Sequence, residues 1–445
     1  MIQQKKKYYF EEAPISLAIA NFALPMMLSM MVSVIYNLVD TFYIGLLGDY
    51  ALVAAVSLST PIFFVFMGIG NVFGIGGGTY ISRLLGMKDE VVVKKVSSFV
   101  FYGSISSGLA LSVFGLIFVE PILHILGVSV MTIDPTREYM LIMLLGGVFK
   151  VLSFSLTQII RAEGSPREAV MGNILGTLIN IVLDPVFLFV FHWGVAGIAT
   201  ATLISEIFST LFYTYFIWKK STFLSLRISD FVLEKCMMNE VFKIGFPTFL
   251  LTIILIVTNL LQNVYAARFS DVYVAVFAII FKLNLIPILL CRGLTLGVQP
   301  LIAYNYARKN FQRTHGILKK AFLYGNIFCM LFFLMAYLFA PLFLNLFSHN
   351  AQIVDLGTPM FKISILSFLT YPLIFLSTSV FQSMGKAIPS LLMSMSQGVF
   401  FAPLVVFGSQ VVGVFGFAWA LPLSNICAAI MSVAIYIVYR KKIWT

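Results

Sequence analysis

Residues 25–43 read PMMLSMMVSVIYNLVDTFY, and a matching segment returns at 247–265 as PTFLLTIILIVTNLLQNVY. Each segment begins with proline, ends with tyrosine and carries an Asn-Leu pair at the same place, so the two align at a spacing of 222 residues. Each is apolar over nearly its whole length, and about 20 such residues are enough to cross a bilayer as a helix. The pair therefore predicts a helical membrane protein that contains an internal repeat.

The composition of the 445-residue chain agrees with this prediction. Hydrophobic residues make up 60% of it and charged residues only 11%, with a mean hydropathy of +0.98. Soluble domains average about 25% charged residues. The apolar runs are also much longer than the roughly 10-residue alternating strands of an outer-membrane barrel. Composition thus excludes a nucleic-acid binder and a β-barrel, and it favours an all-α membrane protein.

Hydropathy and length divide the chain into twelve predicted spans, and no loop between them is long enough for a soluble catalytic domain. The predicted spans are 14–47, 51–80, 95–119, 136–160, 168–190, 195–218, 241–266, 273–303, 318–345, 358–382, 389–409 and 414–438.

Lysine and arginine lie almost entirely on one side of these spans. Of the 29 Lys and Arg residues, 23 fall in the two terminal segments and every second loop, whereas the opposite loops hold only Arg137 and Arg268. Cytoplasmic loops are the ones enriched in Lys and Arg. We therefore expect both termini to be cytoplasmic, in a multi-pass protein of a bacterial or archaeal plasma membrane. The net charge of +11 then follows from topology and needs no acidic partner.

The repeat extends beyond the opening segment. Gly164 pairs with Gly385, and the turn that begins at Gly194 pairs with the one at Gly413, so the spacing runs from 219 to 222 residues. Two six-helix bundles follow, an N-terminal lobe at 1–225 and a C-terminal lobe at 241–445, joined by a cytoplasmic linker at 226–240. An even number of spans per half predicts a pseudo-two-fold axis along the membrane normal, as in transporters that move one half against the other.

Three acidic residues are predicted inside spans, and all three are in the first half: Asp40, Asp184 and Glu206. An ionisable residue is expensive at the centre of a bilayer and usually marks a functional site. The counterpart of Asp40 in the second half is Gln262, so the fold accepts a neutral amide there. We interpret Asp40 as functional, because the packing of the repeat does not require its charge.

For the other charged residues inside spans, a purely structural role is an alternative to a functional one. Asp184 precedes Pro185, which breaks the helix and frees backbone carbonyls for a polar pocket, although an acid at that break could simply cap it. Glu206 and Lys150 lie mid-span in the same half, and an internal ion pair between them is expected. Lys282 is expected to snorkel or to hydrogen-bond within the bundle interior, with a substrate role as the alternative.

A carboxylate that is withdrawn from water takes up a proton more readily, so proton binding can switch a helix between two shapes. We therefore hypothesise that Asp40 couples proton entry to export of another solute. Soft thioethers and aromatic rings near it would suit bulky organic cations, although Met and Phe also serve as apolar filler. The candidate substrate contacts are Asn37, Met30, Met31, Glu206, Gln262 and Lys282.

Cysteine and histidine indicate no further chemistry. The four cysteines lie far apart in sequence, with no pair at metal-binding or redox spacing, so we expect neither a disulfide nor a zinc site. A membrane-embedded enzyme would need paired His, Ser with Lys, or a carboxylate-rich large loop. The sequence shows none of these, so we expect a protein that is not an enzyme and needs no cofactor.

Several short motifs together resemble the multidrug and toxic compound extrusion (MATE) transporter family over essentially the whole chain. They are Pro25 with Asn37-Leu38-Val39-Asp40, Ser82-Arg83-Leu84-Leu85-Gly86, Ile160-Arg161-Ala162-Glu163-Gly164, Asn180 to Pro185, Gly194-Val195-Ala196-Gly197, Gln299-Pro300 and Tyr304-Asn305. The Leu-Asp-Pro motif at 183–185 and the lack of an acid in the seventh span resemble the DinF-like and MepA-like bacterial branches. The NorM-like branch typically carries a glutamate in that span.

The resemblance implies a cation-coupling site in the N-terminal lobe, formed by Tyr36, Asp40, Asn180, Asp184 and Thr202. It implies secondary active export of cationic, amphipathic drugs, and hence antibiotic resistance, in exchange for H⁺ or Na⁺. Protons are favoured, and a Na⁺ site at Asp40, Asn180, Asp184 and Thr202 stays open because hard oxygen ligands suit both ions. The expected partners are small organic cations and the bilayer, with the protein acting as a monomer.

One alternative stays open within the same superfamily, a flippase for lipid-linked saccharides. Such a protein should line its cavity with several basic residues that bind pyrophosphate. The candidates for that role are Lys150, Lys282 and Arg292.

Overall fold

The computed structural model describes residues 2–46, 50–348 and 350–443, which form α-helices and a few short 3₁₀ or π turns and no strand. The helices are α1 (Ile2–Glu11), α2 (Ile15–Leu46), α3 (Tyr50–Met87), α4 (Glu90–Ile117), α5 (Val119–Ile125), α6 (Ile133–Leu145), α7 (Gly147–Ala162), α8 (Pro166–Pro185), α9 (Gly194–Lys219), α10 (Lys235–Ala267), α11 (Asp271–Ala307), α12 (Phe311–Leu338), α13 (Ala340–Asn345), α14 (Ala351–Ser364), α15 (Tyr371–Ser383), α16 (Ala387–Val411) and α17 (Val414–Ile443).

The predicted all-α membrane architecture is confirmed. Among the described residues, eleven helical spans are long and apolar enough to cross a membrane, and the bent pair α6–α7 brings the number to twelve. The sequence predicted one helix at 136–160, whereas the structure has two, α6 and α7, which meet at 53° around Gly146. A Cβ at Gly147, the first residue of α7, would lie 2.2 Å from the Phe66 ring of α3, so α7 packs closely against α3 just after the bend.

The short helices α1 and α5 were not predicted, and α13 was predicted only as the end of the span at 318–345, because none of the three is long enough for a hydropathy signal of its own. The predicted span at 358–382 is also more complex, since α14 and α15 are joined by a 3₁₀ turn at Ile365–Leu369. These differences lie at the ends and joints of spans. The number and order of the spans are unaffected.

The chain packs into two compact units. The first contains residues 1–12 and 31–249, and the second contains residues 13–30 and 250–445. The start of α2 therefore belongs to the second unit, and the start of α10 belongs to the first. The lobes predicted from the repeat, 1–225 and 241–445, describe the sequence duplication, and the packing units differ from them by this exchange of segments.

Glycines permit the exchange within each unit. In the second unit, a Cβ at Gly297 of α11 would lie 2.4 Å from the Ala23 Cα of α2. In the first unit, a Cβ at Gly245 of α10 would lie 2.2 Å from the Val72 carbonyl oxygen of α3. Ala23 and Gly245 are equivalent in the repeat. In both units, the start of a helix from the other half therefore packs closely through a small residue at the same position.

Candidate functional site

Three polar side chains of α8 and α9 meet inside the first unit. Asn180 and Asp184 are each 1% exposed and Thr202 is 5% exposed. Asn180 Nδ2 lies 3.4 Å from both Asp184 Oδ1 and Thr202 Oγ1. With the amide turned over, Nδ2 donates to Asp184 Oδ2 at 3.0 Å and Oδ1 accepts from the Thr202 backbone N–H at 3.3 Å. That orientation satisfies both ends of the amide, so Asn180 bridges the carboxylate to α9.

The local sequence explains why α8 presents these groups together. Asn180 and Asp184 are four residues apart and therefore share one helix face. Pro185 has no N–H to donate, and a π-helical turn at Val186–Val190 follows it directly, closed by the Phe191 N–H donating to the Val186 carbonyl at 3.1 Å. The sequence predicted a break at this proline. Single π turns are frequent at functional sites, where they re-aim nearby side chains.

Small residues bring α8 and α9 close enough for the bridge. A Cβ at Gly176 would lie 2.1 Å from Ser209 Oγ, and one at Gly172 would lie 2.1 Å from the Tyr213 ring. The Ser209 hydroxyl donates to the Gly172 carbonyl at 3.1 Å, which ties the two backbones together. The buried polar cluster is thus held by rigid helices rather than by loops.

Two predicted members of the cation site, Tyr36 and Asp40, lie with their side chains outside the described residues. The same holds for Asn37, a candidate substrate contact, although the backbone of α2 is helical at all three. Within the part of the chain that the structure describes, no cluster of three or more His, Cys, Asp or Glu side chains could hold a metal ion. The structure therefore brings together Asn180, Asp184 and Thr202, and the wider site stays a prediction.

The ion pair expected between α7 and α9 is present. Lys150 Nζ donates to Glu206 Oε1, and both groups are largely buried, with side-chain exposures of 9% and 18%. The Lys150 ammonium also lies 4.1 Å from the centroid of the Phe63 ring and 5.6 Å from that of Phe154. Glu206 follows Thr202 by four residues on α9, so the pair and the Asn180 cluster are neighbours along one helix face.

The remaining substrate candidates are spread over both units. Met31 is half-buried in the first unit, whereas Met30 and Gln262 are half-buried in the second. Lys282 of α11 is exposed, which is compatible with a snorkelling side chain, and its alternative role in substrate binding stays a prediction.

A buried cluster around Glu163, at the turn between α7 and α8, was not predicted from the sequence. The Glu163 side chain is fully buried and accepts hydrogen bonds from Lys6 Nζ at 3.0 Å, Ser165 Oγ at 3.2 Å and Ser221 Oγ at 2.7 Å. In the sequence, Lys6 belongs to a basic N-terminal run that indicates topology. Its partner lies 157 residues away, so only the fold could reveal the pair.

A second charged cluster lies at the opposite ends of the spans and is exposed. Arg137 of α6 donates to Glu120 of α5 at 2.7 and 3.1 Å and to Asp134 at 2.7 Å. The hydrogen bond from Arg137 holds the pKa of the Glu120 carboxyl below its ordinary value. At pH values above the ordinary glutamate pKa, the ionised Glu120 therefore holds α5 to α6 through Arg137. This stabilising contact is lost as the pH falls through the lowered pKa of Glu120.

Similar proteins agree with this architecture. The MatE family model matches residues 25–186 and 247–407, which are the two halves of the repeat. The multidrug export protein MepA of Staphylococcus saprophyticus subsp. saprophyticus is 34% identical over 442 residues, covering 99% of this chain and 98% of that protein. MepA of Staphylococcus aureus (strain MRSA252) matches with the same identity and coverage.

Solved structures share the fold at lower identity. A MOP superfamily transporter from Pyrococcus furiosus Vc1 has a TM-score of 0.92 at 22% identity, over 99% of this chain and 98% of that one. An outward-facing multidrug resistance MATE family transporter has a TM-score of 0.91 at 22% identity, over 98% and 97% of the two chains. Because the family model covers both halves and the curated relatives span the whole length, this chain belongs to the MatE family of membrane transporters.

Proposed function

We propose that this chain is a multidrug efflux transporter that exports amphipathic organic cations in exchange for protons, by alternating access. The observation that carries the proposal is the Asp184 carboxylate, which is 1% exposed within a predicted span and is held by the Asn180 amide. A buried acid of this kind marks an ion pathway in membrane proteins by default. Multidrug export is also the activity for which the MepA relatives are named.

Asn180 supplies the link between protonation and structure. While Asp184 is ionised, it accepts a hydrogen bond from the amide, whose oxygen faces the Thr202 N–H of α9. A protonated carboxyl gains an O–H donor and keeps one acceptor oxygen, so the amide can turn over and accept from the carboxyl in place of the Thr202 N–H. Proton binding thereby changes the contact between α8 and α9, while an organic cation competes for the ionised form. Asp40 is proposed as the second acid of the same relay.

Sodium is the other ion that these groups could bind. The oxygens of Asp40, Asn180, Asp184 and Thr202 are hard ligands of the type that such cations prefer. In a Na⁺-coupled transporter, Na⁺ would bind to the same oxygens that take part in hydrogen bonds and proton binding in the proton-coupled form. The two forms of the proposal differ in the gradient that drives transport.

Uptake of a fluorescent lipophilic cation into inverted membrane vesicles tests the proposal. We expect uptake when the vesicle interior is made acidic without Na⁺, and loss of that uptake in Asp184→Asn and Asp40→Asn. Uptake that requires a Na⁺ gradient would replace the proton by sodium. Wild-type uptake in both variants would overturn the coupling role, provided that both proteins reach the membrane in equal amounts.

A lipid-linked saccharide flippase is the second candidate, favoured by basic residues in the second unit. Lys282 of α11 is exposed and Arg292 of the same helix is half-buried. The third basic candidate, Lys150, is already neutralised by Glu206. Flipping of a fluorescent lipid pyrophosphate in proteoliposomes, without cation uptake in the vesicle assay, would select this function instead.

A further inference from the structure

The Lys150 ammonium occupies a three-sided cage within the first unit. One side is the Glu206 carboxylate, and the other two are the rings of Phe63 and Phe154. The two rings stand at 83° to each other with centroids 6.3 Å apart, so they form adjacent walls rather than a stack. A carboxylate together with aromatic faces is the chemistry that recognises alkylammonium ligands.

The cage is open on the side of the acid. Glu206 keeps twice the exposure of Lys150, 18% against 9%, and both phenylalanines are half-buried. A second cation can therefore approach the carboxylate without first unpacking α7 from α9. The cage is a cation site whose present occupant is a side chain of the protein itself.

The internal repeat shows that the bundle does not need these charges. At the spacings of 221 and 219 residues that align the neighbouring glycine turns, Lys150 corresponds to Tyr371 and Glu206 to Asn425. Tyr371 and Asn425 are fully buried, on helices α15 and α17, which pack together as α7 and α9 do. The same architecture is thus built with a neutral pair in the second unit.

One aromatic wall is retained in the repeat. Phe154 corresponds to Phe375, over which the Arg292 guanidinium lies at 5.8 Å. The aromatic wall with a cation on it therefore recurs in the second unit, whereas the carboxylate occurs only in the first. The acid is the feature that the first unit adds to a shared scaffold.

We propose that Lys150 is a resident cation that competes with substrates for Glu206 and the two phenylalanine faces, and so sets the charge selectivity of binding. The inference rests on the proposed function and narrows its substrate class: among ligands with an organic cation group, the cage prefers those that also carry a carboxylate. A permanent monocation that enters the cage displaces the lysine and leaves one uncompensated positive charge. A zwitterion that brings its own carboxylate pairs with the displaced ammonium and keeps the site neutral.

Equilibrium binding to the purified full-length protein tests this with two matched probes, an ethyl-ester rhodamine and its free acid, which differ by one carboxylate. The wild-type protein should prefer the free acid. Lys150→Met should raise the affinity for the ester about tenfold and weaken binding of the free acid, which inverts the preference. Glu206→Gln should weaken binding of both probes.

Two further variants separate selectivity from folding. Lys362→Met is the matched control, because Lys362 is a half-buried lysine that lies 4.9 Å from the Tyr337 ring with no ion-pair partner among the described residues. It should leave the ratio of the two affinities unchanged. The double variant Lys150→Tyr with Glu206→Asn reproduces the neutral pair of the second unit and should fold while losing the discrimination.

The outcome does not depend on ion coupling. Inverted probe preference in Lys150→Met without pH-driven uptake would retain the cage and reject the proposed antiport. Equal changes for both probes, or no change while the double variant still discriminates, would overturn the role of Lys150 whatever the transport assay shows.

Discussion

At the scale of residues, the first unit contains two buried charged clusters that the fold treats differently. Lys150 and Glu206 have neutral counterparts in the second unit, so their charges are dispensable for packing. Lys6 and Glu163 instead join α1 to the turn after α7, with Ser165 and Ser221 completing the hydrogen bonds of the acid. The second cluster is expected to contribute mainly to stability.

Lys6→Met should lower the thermal stability of the purified protein, because it leaves the fully buried Glu163 carboxylate without its cation. Removing one partner of a buried pair costs about 3–5 kcal/mol. The measurement is the unfolding temperature in detergent. Lys7→Met is the control, since Lys7 is exposed and equally charged. Equal unfolding temperatures for the two variants would contradict a structural role for the pair.

The ion pair between Lys150 and Glu206 was expected from the sequence, because both residues lie mid-span in one half. The grouping of Asn180, Asp184 and Thr202 followed from the resemblance to the family. Glu163 was quoted as part of a motif without a role. No local pattern could reveal a partner at Lys6, since that contact depends on where α1 packs.

At the scale of elements, close helix contacts are made by glycines of the interior. Gly297→Ala should destabilise the protein, because its Cβ would lie 2.4 Å from the Ala23 Cα and α2 would have to shift. Overpacking of this kind costs about 1–3 kcal/mol. The measurements are the unfolding temperature and the fraction of monodisperse protein after gel filtration.

Gly357→Ala serves as the comparison for that experiment. Its Cβ would meet the flexible tip of the Leu344 side chain at 3.2 Å, which can move aside. We expect the Gly357 variant to behave much like the wild type. If both alanine variants lost the same stability, the contact with α2 would not be the cause, since alanine has the higher helix propensity and should by itself stabilise both helices.

The packing of helices α11 and α12 in the second unit can be tested by cross-linking two cysteines. Cys291 and Cys329 are both buried with their sulfur atoms 3.2 Å apart, although their spacing of 38 residues does not predict a pair. A disulfide needs a separation of about 2.05 Å, so a small shift suffices. Mild oxidation with copper phenanthroline should reduce the count of free thiols from four to two.

The single variant Cys291→Ser should keep its three remaining thiols under the same treatment. Loss of thiols in that variant would point to a different pair or to intermolecular bonds. Because α11 and α12 pack against each other within one unit, the cross-link should form without change in the hydrodynamic size of the protein.

At the scale of the whole molecule, the placement of Lys and Arg predicts that both termini and the linker face the cytoplasm. Cys236 lies near the start of α10 and is exposed, whereas Cys291 and Cys329 are buried. A membrane-impermeant thiol reagent should therefore label Cys236 in inverted vesicles and spare it in intact cells. Labelling from the outside would reverse the proposed orientation, and Cys236→Ser identifies the labelled site.

The number of spans was predictable because a bilayer fixes the length of an apolar helix. The repeat predicted two halves, but it could not predict that residues 13–30 pack with the second unit and 235–249 with the first. Hydropathy is the same along α2, so nothing in its apolar sequence marks the change of neighbours near Met30. That information resides in shape, at glycines such as Gly297 and Gly245.

The exchange of helix starts between the two halves, at residues 13–30 and 235–249, also suggests how such a chain could arise by duplication. In a half-length precursor, the groove at the interior glycines, where the helix start of the other half now packs, would have been unfilled. Such a precursor could have completed its own bundle only as a dimer of two identical copies that exchanged helix starts. Fusion of the two copies into one chain would have made the exchange of helix starts permanent. The two halves could then diverge in sequence, so that only the first half acquired acidic residues within its spans.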